Sequence, residues 1–265
     1  MRLLILGSGG KLGSLLKSAW PKTGPVTPIW HGGIGADLHF DICAEPRALS
    51  DSIGGCDAIL LLAGVTTHRK DRPFSENISL AKTVLDAAET RPVLLASTAA
   101  VYGRTTGDLR EDVLPNPESE YGISKWQMEQ LASTYPRTSC LRIGNVAGAD
   151  ALLGTSKDSY RLEQFDDRSY PTRSYIGPAL LAATLAKLAV LHASLPPRLN
   201  IACPEPVSMA DLLQAAGKPW QAVPAPPSAI KVVHLDTSQL WARLPKPEST
   251  AAAIVADLQS VGRVL

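Results

Sequence analysis

The chain has 265 residues, of which 45% are hydrophobic and 5% aromatic, and its formal net charge is +1. It is long enough to bury a large core, in one domain or in one domain with a small appendage. The balanced charge and the scarcity of aromatic side chains argue against a nucleic-acid-binding surface. The scattered cysteines lack C-x-x-C spacing, which argues against a metal site or a disulfide framework and fits a reducing compartment.

No apolar run has the length of a signal peptide or a membrane span. The N-terminal run before Gly7 has four residues, and the apolar stretch from Pro178 to Val190 ends at Leu191 and His192. A membrane-spanning helix needs about 20 apolar residues. We therefore expect a soluble, cytoplasmic protein.

A glycine turn follows the first predicted strand. Leu3 to Leu6 is a continuous apolar run, typical of a strand buried on both faces. Gly7-x-x-Gly10-x-x-Gly13 follows, and then an amphipathic helix over residues 14–20. Glycines in this context let the backbone approach a pyrophosphate, whose charge lies on the helix N-terminus. A plain glycine-rich turn is the alternative, but the position directly after a buried strand favours dinucleotide binding.

The second predicted strand, Val26 to Trp30, does not decide between NAD and NADP. An acidic residue commonly closes this strand in NAD-binding proteins and binds the ribose hydroxyls. Here the strand is followed by His31-Gly32-Gly33, with neither a carboxylate nor an arginine. The missing acid leans towards NADP, because a carboxylate would repel the extra phosphate.

Asp41 ends a third predicted strand, over residues 37–42. Its carboxylate could accept a hydrogen bond from an adenine amino group, or it could cap the helix that starts near Glu45. Further buried strands are predicted over residues 57–64, 92–96 and 139–143, with helices over residues 74–90, 121–135 and 178–192. This alternation predicts an α/β fold, a Rossmann-like doubly wound parallel sheet with ligands at the carboxyl ends of its strands.

The C-terminal part has weaker patterns. Residues 149–170 are predicted to be an irregular polar insert. A short strand over 199–202 and a helix over 208–216, with Ser208 as N-cap, follow. The remainder reads as an irregular subdomain closed by a helix from Glu248. We expect residues 1–148 plus 173–202 to form an NAD(P)-binding domain, and residues 149–172 plus 203–265 to form a small substrate-binding subdomain.

Tyr121 and Lys125 are four residues apart, so in a helix they lie on one face. A nearby ammonium favours the phenolate and lowers the pKa of the tyrosine, which suits it to proton transfer with a hydroxyl or carbonyl oxygen. An ordinary helix with a solvated lysine is the alternative for this spacing taken alone.

These motifs, in this order, resemble the extended short-chain dehydrogenase/reductase family, in particular its NAD-dependent epimerase/dehydratase branch, which acts on nucleotide sugars. The resemblance covers most of residues 1–148. Besides the glycine turn and the Tyr121–Lys125 pair, it rests on Asn77 and on the stretches 97–103 and 141–145.

The resemblance implies a role for each matched residue. Tyr121 would be the acid/base, Lys125 would hold the nicotinamide ribose, and Thr98 would hydrogen-bond the reacting oxygen, while Ser97 supports the strand end. No metal is expected. The residues implied for NAD or NADP are Gly7, Gly9, Gly10, Lys11, Leu12, Gly13, Asp41, Ile42, Leu62, Ala63, Gly64, Tyr121 and Lys125. The residues implied for the substrate are Thr98, Asn145 and Arg173.

The resemblance leaves the reaction open. Ala99 and Ala100 stand where family dehydratases carry a carboxylate pair, so an epimerase or a reductase fits better than a dehydratase. Family sugar-nucleotide epimerases are longer, and only 24 residues separate Gly148 from Arg173. The substrate is therefore a nucleotide sugar or a smaller sugar-like molecule. The alternatives are a non-catalytic NAD(P)-binding regulator on the same fold and a protein whose glycine turn binds another phosphate. Family members often form homodimers, here through helices near 75–90 and 119–135.

Overall fold

The structure is a computed structural model and describes residues 1–67, 71–105, 107–155, 157 and 159–262. The strands are β1 (Arg2–Leu6), β2 (Thr27–His31), β3 (Ala58–Leu61), β4 (Val93–Thr98), β5 (Asp108–Leu109), β6 (Thr138–Ile143), β7 (Asn145–Val146), β8 (Tyr160–Gln164), β9 (Thr172–Arg173), β10 (Tyr175–Ile176), β11 (Arg198–Ile201), β12 (Val207–Ser208), β13 (Trp220–Pro224) and β14 (Val232–Leu235). The α-helices are α1 (Lys11–Ala19), α2 (Pro46–Gly54), α3 (Glu76–Ala88), α4 (Glu120–Ala132), α5 (Pro178–Val190), α6 (Met209–Ala215), α7 (Ser238–Trp241) and α8 (Ala251–Ser260). Short 3₁₀ turns lie at Ala99–Tyr102 and His192–Ser194.

A six-stranded parallel sheet forms the centre of the fold, in the order β11-β6-β4-β3-β1-β2. Helices α1 and α5 cover one face, where Leu3 and Ile5 are buried. Helices α2, α3 and α4 cover the other face, where Leu4 and Leu6 are buried. Burial on both faces explains why these strands are apolar throughout rather than alternating. The predicted doubly wound sheet is confirmed.

The strand order reverses direction at β1. This strand lies between β2 and β3, so the chain leaves it on one side and returns on the other. Sheets of this kind bind ligands in the crevice at such a point, outside the carboxyl ends of the strands. The loops after β1, β3, β4 and β6 all open at this edge.

Two predictions for irregular segments are wrong. The insert over 149–170 contains β8, which pairs in parallel with β13 from Tyr160↔Trp220 to Gln164↔Pro224. The C-terminal part also contains β14 and α7, and its closing helix begins at Ala251 with Thr250 as N-cap. The pairing partners are 60 residues apart, so neither segment shows its strand locally. Residues 156 and 158 of the insert, 106 of the preceding loop and 263–265 lie outside the described residues.

The predicted strand over residues 37–42 is also wrong. Only an isolated bridge between His31 and Leu38 is present in this segment. The Asp41 carboxylate accepts hydrogen bonds from the N–H groups of Cys43 (2.8 Å) and Ala44 (2.8 Å), which closes a turn in place of a strand end. The predicted cap at Ser208 is confirmed, since its hydroxyl accepts from the N–H of Ala210. None of the helices in the described ranges is long and apolar enough to cross a membrane.

Candidate active site

The glycine turn after β1 has no room for side chains at two of its positions. Gly7 has φ +106°, and a Cβ there would lie 2.4 Å from the backbone nitrogen of Ala63. A Cβ at Gly13 would lie 2.3 Å from the carbonyl oxygen of Gly7. Gly10 is the N-cap of α1, and a Cβ there would meet its nearest neighbour only at 3.6 Å. The turn is therefore closely packed at Gly7 and Gly13 but open at Gly10, at the N-terminus of α1, where an anion is favoured.

A cavity of about 910 Å³ runs from this turn to the ends of β4 and β6. Its volume lies in the range of small-molecule and cofactor sites. Twelve of the predicted site residues line it: Gly7, Gly9, Gly10, Lys11, Leu12, Gly13, Leu62, Gly64, Thr98, Tyr121, Lys125 and Asn145. Asp41, Ile42, Ala63 and Arg173 do not line it, although Ala63 packs directly behind Gly7.

Thr98 and Tyr121 meet at the far end of the cavity. Thr98 ends β4, and its hydroxyl oxygen accepts a hydrogen bond from the N–H of Ala100 (3.2 Å), which starts the 3₁₀ turn. Both side chains line the cavity. Burial raises the pKa of Tyr121 above that of a free tyrosine, and the neighbouring Thr98 hydroxyl opposes the rise. The pKa of Tyr121 is thus raised, where the sequence predicted that it would be lowered.

Lys125 lies one turn further along α4 and is buried. Its ammonium group donates a hydrogen bond to the carbonyl oxygen of Ala96 (2.9 Å). Burial lowers the pKa of Lys125 to about 8, against the opposing effects of Cys140 and Glu129. A Cβ at Gly64 would lie 3.3 Å from the Lys125 Nζ, so the loop after β3 also approaches this charge.

Asn77 holds the loop after β3 against α4. Its Oδ1 accepts a hydrogen bond from the N–H of Val65 (2.8 Å), and its Nδ2 donates to the Val65 carbonyl oxygen (3.1 Å). Nδ2 also donates to the hydroxyl oxygen of Ser124 (3.0 Å), next to Lys125 in the chain. Asn77 is thus both a first-turn residue of α3 and a buried link behind the lysine.

A buried ion pair that the motifs did not reveal lies behind α4. Nη2 of Arg142 donates to Oε2 of Glu129 (2.7 Å), and both side chains are fully buried. The Ser97 hydroxyl donates to Oε1 of Glu129 (2.6 Å), so Ser97 ties the end of β4 to the helix. The sequence signal was available: Arg142 is a charged residue within an apolar strand, and such a residue is almost always paired when buried.

A half-buried carboxylate, also missed, lies on the cavity wall. The Tyr175 hydroxyl donates to Oδ2 of Asp150 (2.6 Å), and Asn145 lines the same cavity. Burial raises the pKa of Asp150, against the effect of the Tyr175 hydrogen bond. Nζ of Lys11 donates to the Asp150 carbonyl oxygen (3.2 Å), which brings the loop after β7 to the start of α1. Asp150 belongs to the segment predicted to be irregular, so nothing local marked it.

Arg173 lies outside the cavity and bonds to main-chain carbonyl oxygens. Its guanidinium donates to those of Thr172 (2.8 Å), Lys231 (3.2 Å) and Ile230 (2.7 Å). Burial lowers the pKa of Arg173. Arg173 is thus neither a solvated surface arginine nor a residue that faces the cavity. Within the described residues, no cluster of histidine, cysteine and acidic side chains could hold a metal ion.

Comparison with curated proteins finds partial matches. N-acetyl-alpha-D-glucosaminyl-diphospho-ditrans,octacis-undecaprenol 4-epimerase from Escherichia coli O157:H7 is 30% identical over 95 residues, which covers 33% of this chain and 28% of that protein. Uronate dehydrogenase from Agrobacterium fabrum is 26% identical over 165 residues, which covers 54% of this chain and 61% of that protein. The matched regions thus span less than two thirds of either curated relative.

The fold has relatives among solved structures. UDP-glucose-4-epimerase from Stenotrophomonas maltophila, with bound NAD and formylated UDP-arabinopyranose, superposes with a TM-score of 0.80. The identity is 19%, and the match covers 98% of this chain and 97% of that one. The likeness confirms the predicted Rossmann-like fold.

A family model places the site motifs in one family. The model of the NAD dependent epimerase/dehydratase family matches residues 3–165, more than half of the chain. The match includes the glycine turn, Thr98, Tyr121, Lys125 and Asn145. The NAD dependence of the family agrees with the expected nicotinamide dinucleotide cofactor, and the resemblance read from the sequence is confirmed. The chain belongs to the NAD dependent epimerase/dehydratase family.

Proposed function

We propose that the protein is an NAD(P)-dependent enzyme that acts at a hydroxyl- or carbonyl-bearing carbon of a sugar, as an epimerase or an oxidoreductase. One observation carries the proposal: Thr98, Tyr121 and Lys125 line one cavity that ends at the glycine turn, with Tyr121 and Lys125 one helical turn apart on α4. A proton-transfer group and an anion-binding helix start share one cavity, as dinucleotide-dependent chemistry at a carbon–oxygen bond requires.

The cavity residues fit a nicotinamide dinucleotide. The space that Gly7 and Gly13 leave lets the backbone approach a pyrophosphate, and the N-terminus of α1 favours its charge. Tyr121 and Lys125 would hold the nicotinamide ribose at the other end. When bound, the cofactor accepts or supplies the hydride.

Tyr121 moves the proton. Its raised pKa keeps it protonated at neutral pH, so it can donate to a carbonyl oxygen during reduction and take the proton back during oxidation. Lys125, with a pKa of about 8, carries its charge at pH 7 and stabilises the phenolate left after proton donation. The Thr98 hydroxyl would orient the reacting oxygen by a hydrogen bond.

The contacts of Arg173 favour a sugar-like substrate that lacks a nucleoside diphosphate. It is the residue expected at a nucleotide phosphate, yet its guanidinium is occupied by three main-chain carbonyl oxygens. One curated relative is by name a uronate dehydrogenase and the other a 4-epimerase of a diphospholipid-linked sugar. We place the smaller sugar or sugar acid first and the nucleotide sugar second.

The proposal includes the organisation of the chain. Residues 149–172 plus 203–265 would bind the substrate, and the pairing of β8 with β13 supports this because it joins these two segments. A homodimer through α3 and α4 would be seen by light scattering. Because the described cysteines are free thiols, we propose a cytoplasmic location.

The test measures binding and turnover separately. The purified protein is offered NAD⁺ or NADP⁺ with free sugars, uronic acids and nucleotide sugars, and both reduced cofactor and epimerised product are measured. Tyr121→Phe should keep cofactor affinity and lose turnover by about 10²- to 10⁴-fold. Tyr135→Phe is the matched control, because the Tyr135 hydroxyl bonds to Asp86 rather than facing the cavity.

Three results would count against the proposal. Full activity of Tyr121→Phe would remove the assigned acid/base role. Cofactor binding without turnover on the whole panel would favour a non-catalytic regulator on this fold. Failure of both nicotinamide dinucleotides to bind would point to another phosphate ligand at the glycine turn.

A further inference from the structure

His31 lies at the carboxyl end of β2, beside the glycine turn. Its backbone carbonyl oxygen accepts hydrogen bonds from the N–H groups of Gly7 (3.2 Å) and Ser8 (2.9 Å). The loop that follows is pressed onto the same turn, because a Cβ at Gly33 would lie 2.5 Å from the Cα of Gly9. His31 is therefore fixed to the wall on which the cofactor site is built.

The hydrogen bond of the His31 ring determines which nitrogen carries the proton. Nε2 lies 2.8 Å from the carbonyl oxygen of Phe40. A carbonyl oxygen only accepts, so Nε2 is the protonated nitrogen and Nδ1 carries a lone pair. The side chain is only 6% exposed, and this burial lowers the pKa of His31 and keeps the ring neutral at pH 7.

Nδ1 of His31 has no hydrogen-bond partner within the described residues and is shielded from solvent. Nearly all buried polar side-chain atoms in native proteins have a partner, so an unpaired acceptor needs an explanation. The next residue, Gly32, faces open space, since a Cβ there would meet no atom within 4 Å. A hydrogen-bond donor brought by a ligand would satisfy the acceptor.

The ligand expected at this strand end is the adenosine ribose of a dinucleotide. Its hydroxyls commonly donate to an acidic residue that closes the second strand, and no acidic residue closes β2. We propose that Nδ1 of His31 takes the place of that carboxylate and accepts a hydrogen bond from the ribose 2′-hydroxyl, so that the chain selects NAD(H) over NADP(H). This inference rests on the proposed function, because it concerns the cofactor of the same site.

The charges near His31 also favour NAD(H) over NADP(H). The 2′-phosphate of NADP is an anion whose oxygens are acceptors, so it does not donate a hydrogen bond to the Nδ1 lone pair. The Asp41 carboxylate acts on the ring, and hydrogen bonds from two backbone N–H groups lower the pKa of Asp41 and keep it charged. His39, which also acts on the ring, is exposed. Arg72, whose charge acts on Asp41, forms an ion pair with Glu76. The leaning towards NADP that the missing acid suggested is thereby reversed.

The test is a binding cycle on the whole protein with NAD⁺, NADP⁺ and 2′-deoxy-NAD⁺. The wild type should bind 2′-deoxy-NAD⁺ roughly 3- to 10-fold more weakly than NAD⁺, the effect of one hydrogen bond, and NADP⁺ more weakly still. His31→Gln keeps an N–H for the Phe40 carbonyl but has no acceptor at the Nδ1 position. It should bind NAD⁺ and 2′-deoxy-NAD⁺ equally, whereas His39→Gln should retain the wild-type difference.

The wild-type comparison needs no variant, so misfolding cannot obscure it. Equal affinity of the wild type for NAD⁺ and 2′-deoxy-NAD⁺, or tighter binding of NADP⁺, overturns the inference and leaves the proposed function standing. Failure of all three dinucleotides to bind overturns both. If His31→Gln does not fold, His31→Asp replaces it. This variant restores a carboxylate acceptor and should still bind 2′-deoxy-NAD⁺ more weakly than NAD⁺. Equal binding of the two by His31→Asp would count against the inference.

Discussion

Replacement of Glu129 by glutamine tests whether its buried ion pair with Arg142 stabilises α4, the helix that carries Tyr121 and Lys125. The Glu129 carboxylate accepts hydrogen bonds from Arg142 (2.7 and 3.1 Å), Ser97 (2.6 Å) and Arg198 (3.2 Å). Glutamine has nearly the same shape but no charge. Glu129→Gln therefore leaves the Arg142 guanidinium buried without its counter-charge.

The magnitude follows from the burial of the pair. Both side chains are 0% exposed, and removal of one partner of such a pair costs about 3–5 kcal/mol. The glutamine carbonyl oxygen can still accept hydrogen bonds, which places the expected loss in the free energy of unfolding at about 3 kcal/mol, the low end of that range. For a chain of this size each kcal/mol lowers Tm by about 2–4 °C, so Tm should fall by roughly 6–12 °C.

Thermal unfolding followed by circular dichroism measures this change, with Lys82→Met as the control. Lys82 and Asp86 form an exposed pair with side chains 58% and 49% accessible, and such pairs contribute about 1 kcal/mol or less. Glu129 also raises the pKa of Lys125, so in Glu129→Gln the alkaline limit of kcat/KM should move to lower pH. If Glu129→Gln lowers Tm no more than the control does, the reasoning about the buried pair is refuted.

Three further predictions concern the cavity. Gly13→Ala places a Cβ 2.3 Å from the Gly7 carbonyl oxygen and should weaken cofactor binding at least roughly 10-fold, as measured by calorimetry. Gly54→Ala is the control, because a Cβ there faces open space and should leave the Kd unchanged. Equal Kd values for the two variants would contradict this prediction. Thr98→Val should lower kcat by about 10²- to 10³-fold with unchanged cofactor Kd, and Thr98→Ser should restore it; a parallel loss of binding would argue against an orienting role. The kcat/KM for reduction should fall above about pH 8, where Lys125 loses its proton; a profile that stays flat well above that pH would show that this charge is not needed.

Local signals predicted the half of the fold that carries the cofactor site. The apolar strand β1, the glycine turn and the start of α1 are contiguous, so their order alone indicates a βα unit. The helix with Tyr121 and Lys125 has its N-cap at Ser119, whose hydroxyl accepts a hydrogen bond from the N–H of Gly122 (3.1 Å). The glycine turn and the Ser119 cap both lie within one or two helical turns of the residues whose positions they predict.

The features that the sequence did not show depend on burial or on contacts between residues that are distant in sequence. Arg173 bonds to carbonyl oxygens 57 and 58 residues away, so its composition and neighbours could not show that it leaves the cavity. The pKa of Tyr121 rises because the phenol is buried, a property that a Tyr-x-x-x-Lys spacing does not contain. The hydrogen bond between Tyr175 and Asp150 depends on the pairing of β7 with β10, two short strands that are distant in sequence.

Helix α4, which carries Tyr121 and Lys125, is held from both sides by groups outside the segments proposed to bind the substrate. On the front, Asn77 bonds to Ser124, and on the back, Glu129 bonds to Arg142 and to Ser97 at the end of β4. Tyr121 and Lys125 therefore keep their positions through the central sheet and its helices. The loop after β7, which meets the site at Asp150, and the β8–β13 pair lie outside this support. Under the proposed function, changes in these segments would therefore alter the substrate while Tyr121 and Lys125 keep their positions.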